Sequence, residues 1–285
     1  MTGTRRNRIL FLLISLVTVA AAFVPIKAVM SNPRVDIYYT HLPLIPLISG
    51  FLIIRKRKEI FSNPAPAYAP GVVLMTTGLA ACLLELTTGP WSSVSPSVAV
   101  LSSLVFWVGG LILIFGIKAA AKARFPILFL LLAVPIPAPV MDWLVLYIAR
   151  LTAFMTHFLF TALGVPFLRE GVELNLPYFT LVVGPECAGL RSSIALFIVS
   201  LLAGHLFLKR FGPKLLLVAV VFPLVIIKNA VRIVLLYFIA VFIDERFIVG
   251  GFLHRSVGYL VFIVVLILMG ALLWRLEKSE RDKLS

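Results

Sequence analysis

Acidic residues, cysteines and histidines are all scarce in this sequence: 12 Asp plus Glu, two Cys and four His in 285 residues. Two cysteines, Cys82 inside an apolar run and Cys187 at the edge of another, make no disulfide framework, and the C-x-x-C and C-x-x-H spacings of zinc sites are missing. Structural metals and redox staples therefore drop out, and no motif calls for a metal or an organic cofactor. Charge of either sign is thin, at 13% of residues, which excludes an ordinary soluble domain, where about a quarter of residues are charged. Internal repeats and low-complexity linkers are also missing. The expectation is one membrane domain over residues 1–277 and a polar cytoplasmic tail over 278–285.

What is abundant is apolar surface: 61% of residues are hydrophobic and the mean hydropathy is +1.08. A membrane crossing by a helix needs about 20 apolar residues. Runs at 9–26, 42–54, 69–88, 98–117, 187–208, 215–243 and 256–274 read as crossings. The stretch 125–164 is broken by "AVPIPAP", where proline removes helical hydrogen bonds. The net charge of +14 does not point to nucleic acid, because most of the 26 basic residues sit in five short clusters between apolar runs. The positive-inside rule puts these clusters in the cytoplasm, so 125–164 must cross an odd number of times. A single crossing at 141–163, with 125–137 re-entrant or interfacial, completes the assignment. The N-terminal run has the layout of a signal peptide, but its length and the spans that follow predict that it stays as a span. The expected fold is an all-α, polytopic membrane helical bundle of about eight transmembrane helices with both termini cytoplasmic.

Ionisable groups inside spans are costly and so are functional candidates. Cys187, in "GPECAGLRSSIALF", falls at the outer mouth of its span, where backbone N–H groups favour a thiolate. It reads either as a nucleophile or as a small buried hydrophobe. Arg232 lies about 27 Å above Lys214 along its helix, near the outer boundary, with Lys228 and Asn229 on the same face. It reads either as an oxyanion or carboxylate holder or as a packing cation that snorkels outward. His254, at the outer start of the last span, reads as a proton carrier or as a solvated interfacial group. Supporting candidates are Arg191, four residues after Cys187, together with Asn229, Glu186, His41 and Glu85. Charge topology alone gathers a cysteine, an arginine and a histidine from three spans at one membrane face. That constellation is suited to acyl transfer.

The ordered motifs resemble those of the exosortase/archaeosortase membrane transpeptidases. "YYTHLPLIPLISGFLIIRKR" is similar to the family's early segment, and "FPILFLLLAVPIP" and "GVPFLREGVELNLP" to its central ones. "ECAGLRS", "NAVRI" and "FLHRSVGYLVF" resemble its three active-site motifs in order. The resemblance implies that Cys187, Arg232 and His254 are catalytic. Ala188 replaces the hydroxyl residue common after the cysteine, and Leu42 replaces a glycine common after the early histidine. A histidine rather than an arginine at the third motif points to the bacterial, exosortase-like branch.

The resemblance further implies a cysteine peptidase or transpeptidase of the cytoplasmic (inner) membrane, its active site facing the periplasm or exterior. Its substrates are secreted proteins with a C-terminal sorting signal: a Pro-Glu-Pro-type motif, a transmembrane helix and a basic tail. The acyl-enzyme could pass to an amine, a lipid or water. Outer Arg34, Arg169 or Arg246 are candidates to bind an acidic sorting motif, on charge and side alone. Two other readings stand beside transfer: a hydrolytic intramembrane cysteine protease using the same residues, and a non-enzymatic transporter or membrane scaffold.

Overall fold

Helices dominate because apolar chain in a bilayer must satisfy its backbone internally. The computed structural model describes residues 2–32, 36–87, 95–177, 180–184, 189–242 and 252–283. Contacts along the chain cluster into two units, Met1–Met141 and Asp142–Ser285.

The first unit holds α1 (Thr2–Met30), α2 (Asp36–Tyr39), α3 (Leu44–Arg55), α4 (Arg57–Ile60), α5 (Tyr68–Thr87), α6 (Ser95–Phe115), α7 (Ile117–Lys122) and α8 (Arg124–Leu130). Its centre is the α5–α6 pair, with α1 also packed on α6. The pair approaches closely through glycines. A Cβ on Gly71 would stand 2.6 Å from the Leu113 Cα, and one on Gly109 would stand 2.7 Å from the Met75 nitrogen. Small residues at such positions let membrane helices gain van der Waals contact, since lipid offers no hydrophobic drive between them. At the end of α6 the chain turns at Gly116, with φ +87. The Ala65 and Ala67 amides donate to the Phe115 and Ile112 carbonyls, so the helix end is capped by the preceding loop. Phe11, Phe61, Trp107 and Phe115 form an aromatic cluster at this level, with ring centroids 4.5 to 6.3 Å apart.

The second unit contains most of α9 (Ala138–Ala162), then α10 (Leu190–Phe207), α11 (Phe211–Ala219), α12 (Val221–Phe242) and α13 (Phe252–Asp282). Leu196, Leu217, Val221, Val225, Val265 and Met269 make its core, drawn from α10 to α13. The break between α11 and α12 has a covalent cause. Pro223 has no N–H to donate to Ala219 and its ring crowds that carbonyl, so one apolar segment, Phe211–Phe242, is divided into two helices. At the far end, the buried Glu280 carboxylate accepts the Lys209 and Arg210 backbone N–H groups, both at 2.8 Å. It thereby serves the N-terminus of α11 from the last helix.

Among the described residues seven helical segments are long and apolar enough to cross a membrane: Arg6–Met30, Tyr68–Glu85, Pro96–Phe115, Ala138–Ala162, Leu190–Phe207, Phe211–Phe242 and Ser256–Asp282. The polytopic helical architecture is as expected, but the eighth expected crossing, 42–54, forms only the 12 residues of α3. That is about 18 Å at 1.5 Å per residue, short of a hydrocarbon core of about 30 Å. Pro43 and Pro46 at its start explain the shortness, since proline fits only a first turn. The 125–137 stretch is α8 followed by a 3₁₀ turn, Leu131–Ala133, shorter still.

An all-α expectation also omits a three-stranded antiparallel sheet between α9 and α10: β1 (Leu168–Glu170), β2 (Glu173–Asn175) and β3 (Thr180–Val182). Glu170 pairs with Glu173 across a two-residue turn that opens on Gly171 at φ +64, as primed hairpin turns require. Leu174, Leu176, Leu181 and Val183 are buried and form one face of the pleat, while Glu173 and Thr180 are exposed. The Gly184 amide returns to the Val182 carbonyl at 2.9 Å, a tight turn that redirects the chain after the sheet.

Candidate active site

Helix α12 carries three polar side chains on one face. Lys228 and Asn229 are 4% and 0% exposed, and Arg232, one turn further, is half-buried. The spacing that predicted a shared face is realised. A buried ammonium needs acceptors around it. Lys228 Nζ donates to Ser192 Oγ of α10 and to Asn229 Oδ1, both at 2.7 Å.

Gly189 is where this face meets the segment that follows Cys187. It is the N-cap of α10 in the left-handed conformation, φ +60 and ψ +30, and its carbonyl accepts hydrogen bonds from the Ser192 and Ser193 hydroxyls at 2.8 Å. The Asn229 amide lies directly against its Cα: a Cβ there would collide with Oδ1 and stand 3.0 Å from Nδ2. Glycine is thus required twice, by conformation and by space. A closed circuit results, running from the Gly189 backbone through Ser192, Lys228 and Asn229 back to Gly189. It fixes the backbone two residues after Cys187 to α12.

Arg232 meets the last helix in the same manner. A Cβ on Gly258 would stand 3.3 Å from Arg232 Nε and 3.5 Å from Cζ, so the guanidinium lies on the backbone of α13. Position 254 is one helical turn before Gly258 and on the same face. The face of α12 therefore touches, three residues apart, the flank of the cysteine motif and the flank of the histidine motif.

Cys187 and Glu186 lie outside the described residues, as does the His254 side chain, although position 254 itself is in the first turn of α13. Helix α10 starts at Leu190 after a left-handed Gly189, and Arg191, in its first turn, is exposed. His41 and Glu85 belong to the first unit. His41 is in the turn between α2 and α3. Burial holds its pKa below the usual imidazole value, against backbone hydrogen bonds with Tyr38 and Leu132 that act the other way. Glu85 is half-buried near the end of α5. Of the proposed motif-binding arginines, Arg169 is committed to its own hairpin, with Nε on the Gly171 carbonyl at 2.9 Å and Cζ 5.8 Å from the Phe154 ring centre. Arg34 and Arg246 fall outside the described residues. In the sequence Lys228 stands out only for sharing the face of Arg232, and Ser192 does not stand out at all. Only the packing of α12 on α10 reveals their bond. No group of three or more metal-ligating side chains occurs among the described residues.

A model of the transmembrane exosortase family matches residues 33–271, a span that takes in both units and all three motifs. The chain belongs to the transmembrane exosortase family. Membership implies a membrane transpeptidase that processes sorting signals. No curated protein and no solved structure matches this exosortase.

Proposed function

We propose that this exosortase cleaves the C-terminal sorting signal of membrane-anchored secreted proteins through a cysteine acyl-enzyme, with Cys187 as nucleophile, Arg232 as oxyanion holder and His254 as proton carrier. One juxtaposition supports the reading above the others. The same face of α12 presses Asn229 on Gly189, two residues from the cysteine, and Arg232 on Gly258, one turn from position 254. An oxyanion holder must be fixed before charge develops, and a guanidinium laid against a helix backbone meets that requirement.

In the proposed reaction His254 takes the Cys187 proton, and the thiolate attacks the carbonyl carbon of the scissile peptide. The carbonyl oxygen gains the negative charge beside Arg232. Collapse of the tetrahedral species breaks the C–N bond, His254 returns the proton to the leaving amine, and the secreted portion remains as a thioester. An amine, a lipid hydroxyl or water then attacks that thioester, gives up its proton to His254 and regenerates the thiol. The basic clusters that favour the cytoplasmic side leave the Cys187 end of α10 at the outer face of the cytoplasmic membrane. There the Pro-Glu-Pro-type motif of a substrate would meet it, while the substrate's helix stays in the bilayer.

Cys187→Ala in cells that express an anchored substrate is expected to abolish processing, with Cys82→Ala unchanged because Cys82 lies on α5 in the first unit. Normal processing by Cys187→Ala would sink the nucleophile assignment. Mass spectrometry of the new C-terminus then assigns the acceptor: a free carboxylate means water, and a conjugated end means transfer.

A further inference from the structure

The first unit contains a recess of about 1080 Å³ bounded by α1 and α3 and floored by α6. Its length follows α1 from Phe11 to Ile26, about 22 Å along a helix. Polar atoms occur on the wall, but their hydrogens are already committed to the protein. Ser15 donates to the Phe11 carbonyl, Thr18 to Ile14, Ser49 to Pro126 and Ser103 to Ala99, while the Trp107 indole N–H donates to Ser15. Such a wall asks for an apolar occupant. The unsatisfied demand is at one end, where Arg8, Arg57 and Lys58 line the recess and are exposed, forming no ion pair among the described residues.

An apolar channel that ends in three cations fits an anionic amphiphile. Charge separates the candidate occupants. A transmembrane peptide with a basic tail would put like charge against Arg8, Arg57 and Lys58, and a zwitterionic lipid would leave them uncompensated. Juxtamembrane lysine and arginine attract anionic head groups, and two cationic helical segments that converge on one phosphate gain charge-assisted hydrogen bonds from both sides. We propose that this recess is a specific site for an anionic phospholipid, its acyl chain along α1 and α6 and its phosphate between Arg8 and Arg57–Lys58. The bound lipid fills the space between α1 and α3 and neutralises their adjoining ends. The site is independent of the Cys187 chemistry.

Trp107 supplies the readout because it lines the recess. The full-length chain carrying Trp91→Phe, Trp143→Phe and Trp274→Phe, in phosphatidylcholine nanodiscs, is titrated with phosphatidylglycerol or with phosphatidylcholine brominated near the head group. Saturable quenching of Trp107 is expected at about tenfold lower mole fraction for the brominated phosphatidylglycerol, and Arg8→Gln/Arg57→Gln/Lys58→Gln should bring the two lipids to parity. High salt should weaken the preference of the starting chain. Equal quenching by both lipids means ordinary boundary lipid and overturns the proposal. Failure of either lipid to quench means that a peptide or another copy of the chain fills the recess, and also overturns it. If the tryptophan-depleted chain does not fold, lipid extracted from the purified wild-type protein decides the matter. Phosphatidylglycerol enrichment over the host membrane, lost in the triple-glutamine variant, supports the site; its absence refutes it.

Discussion

The spans built on α6 and on α11–α12 are each half buried, yet the serines of the first and the charged and amide groups of the second are used differently. On α6, Ser102 and Ser103 turn back to the Ala99 carbonyl of their own helix, at 3.0 and 2.8 Å. On α12, Lys228 reaches across to Ser192 of α10, Asn229 lies on Gly189, and Arg232 lies on Gly258. Burial and hydropathy do not separate a scaffold helix from a site helix. What the polar groups reach does: those of α12 meet the flanks of the cysteine and histidine motifs, whereas the Trp107 indole of α6 reaches only Ser15 of α1. Back-bonded serine costs a membrane helix little and binds nothing, whereas a cation that must find acceptors on another helix fixes the two helices in register.

The largest expected effect within this contrast belongs to Arg232. Arg232→Gln removes the charge but keeps a polar side chain, and a fall in processing rate of about 10²–10³ is expected, the scale of losing one oxyanion donor. A substrate series measured under single-turnover conditions would put the loss in the rate rather than in binding. Gly189→Ala comes next. The left-handed backbone alone costs roughly 1–2 kcal/mol, and the new Cβ meets the Asn229 amide, so processing should fall at least tenfold while the protein still accumulates in the membrane. Lys228→Met is expected to lower processing by about tenfold, on the scale of leaving a buried acceptor unsatisfied. Ser102→Ala with Ser103→Ala should change neither processing nor thermal stability measurably. If the serine pair proved as damaging as Lys228→Met, the distinction between the two helices would collapse.

A modest effect, on stability rather than processing, concerns His41. Its pKa is lowered on folding, so the unfolded chain binds more protons and stability rises with pH. Thermal stability in detergent should decline modestly as pH falls below about 6.5, and His41→Phe should remove that part of the decline. A decline of the same size in the variant would show that His41 is not its source.

The sequence made much of this legible, for physical reasons that can be named. Apolar runs of twenty residues have few fates, so the seven long crossings are visible within about four residues of their ends, except that the last continues to Asp282, eight residues past 274. The shared face of Lys228, Asn229 and Arg232 followed from helical spacing, and family membership accords with the ordered motifs around Cys187, Arg232 and His254. What escaped depended on partners or on short elements. Strands of three residues have too little alternation to register, so β1 to β3 are absent from the all-α expectation. The true start of α10 is hidden because Gly189, rather than a side-chain cap, begins it. The bond from Lys228 to Ser192 depends on how α12 is rotated against α10, which no spacing within either helix can state.

The Glu280 carboxylate carries a consequence for the order of assembly. Its two backbone partners, Lys209 and Arg210, precede it by 71 and 70 residues. During synthesis the turn between α10 and α11 therefore emerges, and waits with its amides bonded to water, until the last helix has entered the membrane and its polar end returns to the same surface. The contact is among the most non-local in its unit and closes late. It turns the final residues of α13 from a trailing tail into the clasp that completes the helix set holding Arg232.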